Sequence, residues 1–393
     1  MHPSDELRGS KGDDLSGKKI VLGVTGSIAA VETVKLVREL IREGAEVHCV
    51  MSDWGQKIVH PNSLEFASGN EVITELTGQV EHVSHCGNVP DKADLFLIAP
   101  ATANTISKIA KGIDDTPVTT FATTCVGSDI PMMVVPAMHQ TMYDHPIVME
   151  NLEQLKEKLD VTVVGPKIEE GAAKSAGKGQ IVDEVIRRLH DDLEGENITV
   201  VTGRSFEPID SMRIVTNRAS GKSGIELAKR AYRRGAEVEL WHGEVKEEIP
   251  DWIPDRSFET LDDLIEMSSD LEGTVLVPAA LSDFTPEKEE EQKISSSEDF
   301  TLKLEPTPKF IDEIRDKVDL LVAYKAEDTR EGARKEADKM VEEKRAEMAV
   351  GNSLKDVTRE KNSVYLTSRG DWIEGTKREI AEAILDEVEV KLG

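Results

Sequence analysis

Short apolar runs separated by amphipathic stretches recur in two series along the 393 residues. In the first, KKIVLGV (18–24), AEVHCVMS (45–52), DLFLIAP (94–100) and PMMVVPAM (131–138) read as buried strands. Between the first two, Ile28, Val31, Val34, Val37 and Ile41 recur near helical spacing. They predict a helix running to about Glu43 and stopped by Gly44. A second helix is expected over 101–111. In the second series, ITVVTG (198–203), AEVELW (236–241), TVLVPAAL (274–281) and DLLVAYKA (319–326) read as strands, with a helix over 222–234. Strands alternating with helices predict parallel sheets covered on both faces. VIRRLHDDLEGEN, 185–197, closes one series and leads into the next. The expected organisation is a domain over 18–194 and another over 195–393, each doubly wound and Rossmann-like. The polar residues 1–17 read as a disordered lead-in without a signal core.

Composition narrows the class. The length suits two full cores. No apolar run is long enough for a membrane span, so a cytoplasmic protein is expected. A formal net charge of −28 argues against nucleic-acid or acidic-membrane partners. Cys49, Cys86 and Cys125 have no CxxC spacing and favour neither a disulfide framework nor a zinc site.

Three loops in the first half follow strands and carry small or hydroxyl residues. They are TGSIAA (25–30), PATANT (100–105) and PAMHQTMY (136–143). Free amides at a helix start bind phosphate, and doubly wound sheets bind ligands at this edge. The first loop is not G-x-G-x-x-G, which favours a monophosphate over a dinucleotide.

These loops resemble those of the flavin-dependent cysteine decarboxylase family, whose phosphopantothenoylcysteine decarboxylases serve coenzyme A biosynthesis. The resemblance implies a flavodoxin-like domain binding FMN through Gly26, Ser27, Ile28, Ser52, Ala101, Thr102 and Asn104. It implies substrate contacts from Met138, His139 and Met142, with His139 replacing the family's asparagine. The catalytic histidine maps to EHVSHCG, where His82, followed by Val83, fits better than His85. The family's lid cysteine and arginine are Ala173 and Gln180 here. The final protonation would then need His139, Lys174 or water. The implied chemistry is hydride removal by flavin from the carbon bearing sulfur, then its return after carbon dioxide leaves.

The stretch RASGKSG, 218–224, matches the end of a phosphate loop, G-x-x-x-x-G-K-[ST], but Thr216 stands where the first glycine belongs. Its context, TGRSFEPIDSMRIVTNRASGKSG, is similar to the ligase half of the same enzyme family. That likeness implies a strand-to-helix anion loop with Asn217 catalytic and Arg213 at the substrate. PAALSDF and EQKIS bring Ala279, Asp283 and a catalytic Lys293 to the nucleotide. Pro308, Lys309, Phe310, Tyr324, Lys339 and Lys344 complete the implied CTP site, with Mg²⁺ as a further cofactor.

The expected function is bifunctional. Phosphopantothenate, cysteine and CTP would give phosphopantothenoylcysteine through an acyl-cytidylate, and FMN-dependent decarboxylation would then give phosphopantetheine. A homo-oligomer is implied. The alternatives are a ligase with an impaired flavin domain, or a flavin-binding regulatory subunit.

Overall fold

A computed structural model describes residues 2–169, 172–295, 299–356, 358 and 361–393. The chain separates into two units, Met1–Leu189 and His190–Gly393. Among the described residues no helix is long and apolar enough to cross a membrane.

In the first unit the apolar runs form β1 (Lys19–Val24), β2 (Glu46–Met51), β3 (Leu95–Ala101), β4 (Met132–Pro136) and β5 (Val161–Val163). They pair in the order β2-β1-β3-β4-β5, all parallel. The helices are α1 (Pro3–Leu7), α2 (Thr33–Arg42), α3 (Asp53–Gln56), α4 (Pro61–Ser68), α5 (Glu81–Cys86), α6 (Ala103–Ala110), α7 (Pro117–Gly127), α8 (Gln140–Tyr143), α9 (Pro146–Leu159) and α10 (Lys178–Leu189). α2, α4 and α10 pack on one face, and α5, α6, α7 and α9 on the other. The helix expected from Ile28 begins as a 3₁₀ turn, Ile28–Glu32, before α2. A short hairpin, β6 (Lys167–Glu169) with β7 (Ala172–Lys174), precedes α10.

The expectation of a disordered lead-in over 1–17 is corrected. The last carbonyls of α2 lack partners within the helix. Ile41 accepts from Gly9, Arg42 from Lys11 and Gly12, and Glu43 from Leu15. Leu15 is fully buried against this core. Gly44, at φ 105°, makes the turn, and a Cβ there would lie 2.8 Å from the Ser16 nitrogen.

In the second unit β8 (Asn197–Thr202), β9 (Phe206–Asp210), β10 (Arg213–Thr216), β11 (Glu237–His242), β12 (Asp255–Ser257), β13 (Thr274–Val277), β14 (Phe284–Pro286), β15 (Leu304–Pro306), β16 (Leu320–Glu327), β17 (Met348–Ser353), β18 (Lys361–Leu366) and β19 (Asp371–Thr376) follow in sequence. The main sheet runs β12-β11-β8-β13-β16-β17-β18-β19. Its first six strands are parallel, and β18 and β19 add an antiparallel edge. β9–β10 and β14–β15 are separate hairpins. α11 (Lys222–Arg233) and α15 (Lys377–Leu392) cover one face. α12 (Leu261–Met267), α13 (Phe310–Ile314) and α14 (Arg330–Glu342) cover the other.

α5 is seated partly through His85, whose ring lies 4.6 Å from that of His48 and 6.3 Å from that of Phe121. Burial, then the neighbouring His48 and Lys19, lower its pKa to about 4, against the opposing pull of Glu46 and Asp91.

Two predictions follow from this packing. Leu15→Ala should destabilise the first unit by about 2–5 kcal/mol in urea unfolding; no shift would mean the segment is not docked. The unfolded chain takes up a proton at position 85 below about pH 6.5, and the folded one only near pH 4. Docking of α5 should therefore weaken as pH falls through that window. Hydrogen-exchange protection of the α5 amides should show the loss, and His85→Phe should flatten it.

Candidate functional sites

In the first sheet the strand order reverses between β1 and β3, the crevice where a flavodoxin-type order binds its ligand. Thr25, buried at the end of β1, spans that crevice. Its hydroxyl donates to the Pro100 carbonyl at 2.7 Å and accepts from the Thr102 N–H at 3.1 Å. One side chain thus fixes the spacing of the two loops. Gly26 follows, and a Cβ there would come within 2.4 Å of the Trp54 Cβ. Trp54 itself is 67% exposed, with the Lys57 ammonium 4.0 Å from its ring centre.

Around this crevice stand half-buried Ser27 and exposed Ile28 after β1, and Thr102 and Asn104 at the start of α6. Ser52 caps α3 by accepting from the Gly55 N–H at 3.2 Å. Thr102 caps α6 through the Thr105 N–H. The Ala101 side chain is fully buried, and its carbonyl accepts from the Ala137 N–H. After β4, Met138 packs partly into the core, His139 stands at the N-cap position of α8 without a side-chain capping bond, and Met142 is half exposed. α8 lies against β7, the strand that includes Ala173. Residues 170 and 171 of the expected lid lie outside the described residues.

Chain path separates the two histidines. Ile73 pairs beside the end of β2, so the segment entering α5 starts from the carboxyl edge. His82 lies in the first turn of α5, nearer that edge. His85 lies in its last turn, where its carbonyl accepts from Ala93. The Nδ1 atoms of both His82 and His85 are shielded and have no hydrogen-bond partner, so this feature does not separate them.

In the second sheet the first six strands have the dinucleotide-type order, which reverses between β8 and β13. Here Ala280 N–H donates to the Gly203 carbonyl at 2.8 Å, and Ser282 N–H to the Ser205 hydroxyl at 3.0 Å. Asn217 leans across the same junction. Its amide nitrogen donates to the carbonyls of Ala280 and Leu281 at 3.1 and 2.8 Å. Asp283 forms an ion pair with Lys309. Thr307 donates its N–H to the Asp283 carbonyl and its hydroxyl to Ser282. Asn217, Asp283, Pro308 and Lys309 therefore come together through paired loops, with Ala279 partly packed at their base. Lys293 is exposed on the segment that follows β14.

The loop 218–221 is not built as a phosphate loop. Gly221 caps α11 in the left-handed region, φ 76°. Gly224 lets α11 press on β8, since a Cβ there would lie 2.1 Å from the Thr202 hydroxyl.

Four more residues are expected at the nucleotide. Phe310 is 2% exposed and its ring packs in the core. Tyr324 packs on the α11–α15 face, where burial raises its phenol pKa. Lys339 lies late in α14, and Lys344 in the turn before β17. α14 returns from the carboxyl edge of β16, so this chain carries both lysines toward the opposite edge. Arg213, expected at the substrate, pairs with Asp210 and donates to the Ile294 carbonyl. Sequence reasoning assigned no role to Thr25, Trp54 or Ser205. A tryptophan two residues after Ser52 was the one available signal.

Comparison with known proteins matches both halves. Residues 8–190 fit the Flavoprotein family, and residues 193–391 fit the DNA/pantothenate metabolism flavoprotein C-terminal domain. The coenzyme A biosynthesis bifunctional protein CoaBC of Thermococcus kodakarensis is 47% identical over 407 residues, covering 100% of both chains. That of Methanocaldococcus jannaschii is 37% identical, covering 99% of this chain and 97% of its own. The solved C-terminal domain of a CoaBC protein is 29% identical, with a TM-score of 0.43, over 51% of this chain and 98% of that one. The chain belongs to the family of bifunctional coenzyme A biosynthesis proteins, a flavoprotein half followed by a pantothenate-metabolism half.

Proposed function

We propose that the second unit joins 4'-phosphopantothenate to cysteine at the expense of CTP, and that the first decarboxylates the product with FMN. The observation that carries this reading is that each set of motif loops falls on the strand-order reversal of its own sheet.

The first crevice fits a flavin mononucleotide. Gly26 clears space beside Trp54, and Ser27, Ser52 and Thr102 supply hydroxyls around it. Bound FMN would supply a reversible hydride acceptor. His82 would handle the substrate thiol proton through its ring. His85 is a poor base at neutral pH because its pKa is near 4. Met138, His139 and Met142 would line the substrate side.

In the second unit, Asn217 orders the 279–283 loop against the nucleotide, with Asp283 and Lys309 beside it. Lys293 would meet the phosphates, where developing negative charge needs donors. Among the described residues no group of three or more His, Cys, Asp or Glu could hold a metal. Any Mg²⁺ would therefore arrive on the nucleotide phosphates. A cytoplasmic homo-oligomer completes the proposal; sedimentation of the purified chain as a monomer would refute the assembly. A second reading, an impaired decarboxylase, is favoured by Ala173 at the lid cysteine position.

His82→Asn should lower carbon dioxide release by about 10²–10⁴-fold while leaving ligation intact. A dead His85→Asn variant with active His82→Asn would reverse the assignment. Absence of carbon dioxide release from the unaltered, FMN-loaded protein would favour the impaired reading.

Asn217→Asp would set a carboxylate against two backbone carbonyls that now receive hydrogen bonds. Misplacement of the 279–283 loop should lower amide formation on the order of 10²-fold. Lys222→Ala should retain nucleotide binding. Pyrophosphate release and amide formation, followed separately, would locate the failing half-step. The opposite ranking of the two variants would return the loop to the phosphate-loop class.

A further inference from the structure

β9 ends in Asp210, whose carboxylate is buried. It accepts from the N–H groups of Met212 and Arg213, both at 2.8 Å, and of Ile294 at 3.0 Å. It also pairs with the Arg213 guanidinium. The same guanidinium donates to the Ile294 carbonyl at 3.2 Å. Both backbone polar groups of Ile294 are thus gripped by one carboxylate–guanidinium pair. Four residues earlier, Glu290 N–H donates to the Ile209 carbonyl at 3.0 Å. The segment leaving β14 is thereby tied along β9 at two points, and Lys293 lies between them.

We infer that Asp210 and Arg213 form a latch that positions Lys293 for ligation. This rests on the assignment of Lys293 to the nucleotide phosphates made above.

The physical need is visible in the sequence. Lys293 follows EKEEEQ, so a loose arm would let its ammonium settle on neighbouring carboxylates. The two anchors fix the backbone beside it, and Lys288 pairs with Glu290 at 2.7 Å. Burial disfavours charge on Asp210, but the hydrogen bonds from Ile294, Met212 and Arg213 outweigh it and hold the carboxyl at about 2. The latch carboxylate therefore stays ionised at any working pH. Arg213 and Asp210 touch no reacting atom in this scheme; they are positioning residues.

Asp210→Asn and Arg213→Gln in the full-length protein test the latch, with Lys293→Ala as reference. Misplacement of a reacting group by about 1 Å can cost on the order of 10²-fold, and a loss of that size in ligation kcat/KM is expected. Carbon dioxide release from supplied phosphopantothenoylcysteine should not change. Limited trypsin cleavage after Lys288 and Lys293 should accelerate in both latch variants, and Arg213→Lys should recover part of both effects. Unaltered cleavage in Arg213→Gln would overturn the latch even if Asp210→Asn fails to fold. Faster cleavage with unaltered ligation would overturn its positioning role. A Lys293→Ala protein that ligates normally would instead sink the assignment of Lys293, while the cleavage rates still judge the latch.

Discussion

A parallel sheet buried on both faces leaves a ligand one place to enter backbone territory, the crevice where the strand order reverses. That crevice must be held open at a fixed width. In the first unit a single hydroxyl does this, since Thr25 bonds to both Pro100 and Thr102. In the second, the bonds Ala280 to Gly203 and Ser282 to Ser205 close the base, and Asn217 ties the rim. The ligand-facing loops around them owe their spacing to these few bonds.

The charge of the chain sets the second constraint. At −28, any anionic ligand must be met by local cations set against the chain's own field. Two cations at the second crevice are tethered to carboxylates, Lys309 to Asp283 and Arg204 to Glu244. Tethering lowers the rotamer freedom a ligand must remove. Arg230 on α11 and Arg234 at its C-cap, both buried, pair with acids of α15 and do not reach the crevice. The excess acid therefore coexists with a small set of fixed positive groups.

Much of this architecture was legible in the residues. The strand runs, the Gly44 stop and the loops at strand ends all follow from periodicity and turn chemistry. The lead-in was not. Its apolar marks within a polar stretch are few, chiefly Leu7 and Leu15, and hydrogen bonds to the end of α2 leave no trace in composition. Side-chain direction was the second blind spot. Successive residues of a strand face opposite ways, and the letters of the motif do not tell that Tyr324, within β16, falls on the α11–α15 face. Helix direction caused the third: Lys339 and Lys344 follow the motif strand in sequence, but α14 carries them back along the sheet.

The phosphate-loop likeness shows why letters alone mislead. In a phosphate loop, glycines free the backbone to wrap an anion. Here the same letters answer two steric demands of a helix start. Gly221 adopts a left-handed conformation that ordinary residues resist, and Gly224 admits close packing of α11 on Thr202. The lysine between them is simply the first residue of α11. What ties the neighbourhood together is Asn217, four residues before Gly221, whose amide nitrogen donates to two carbonyls of the facing loop. An aspartate would lack both hydrogens, so shape could survive the change while the junction would not. The discriminating information is therefore a pair of hydrogen bonds across the sheet edge, a relation that exists only after the chain has folded.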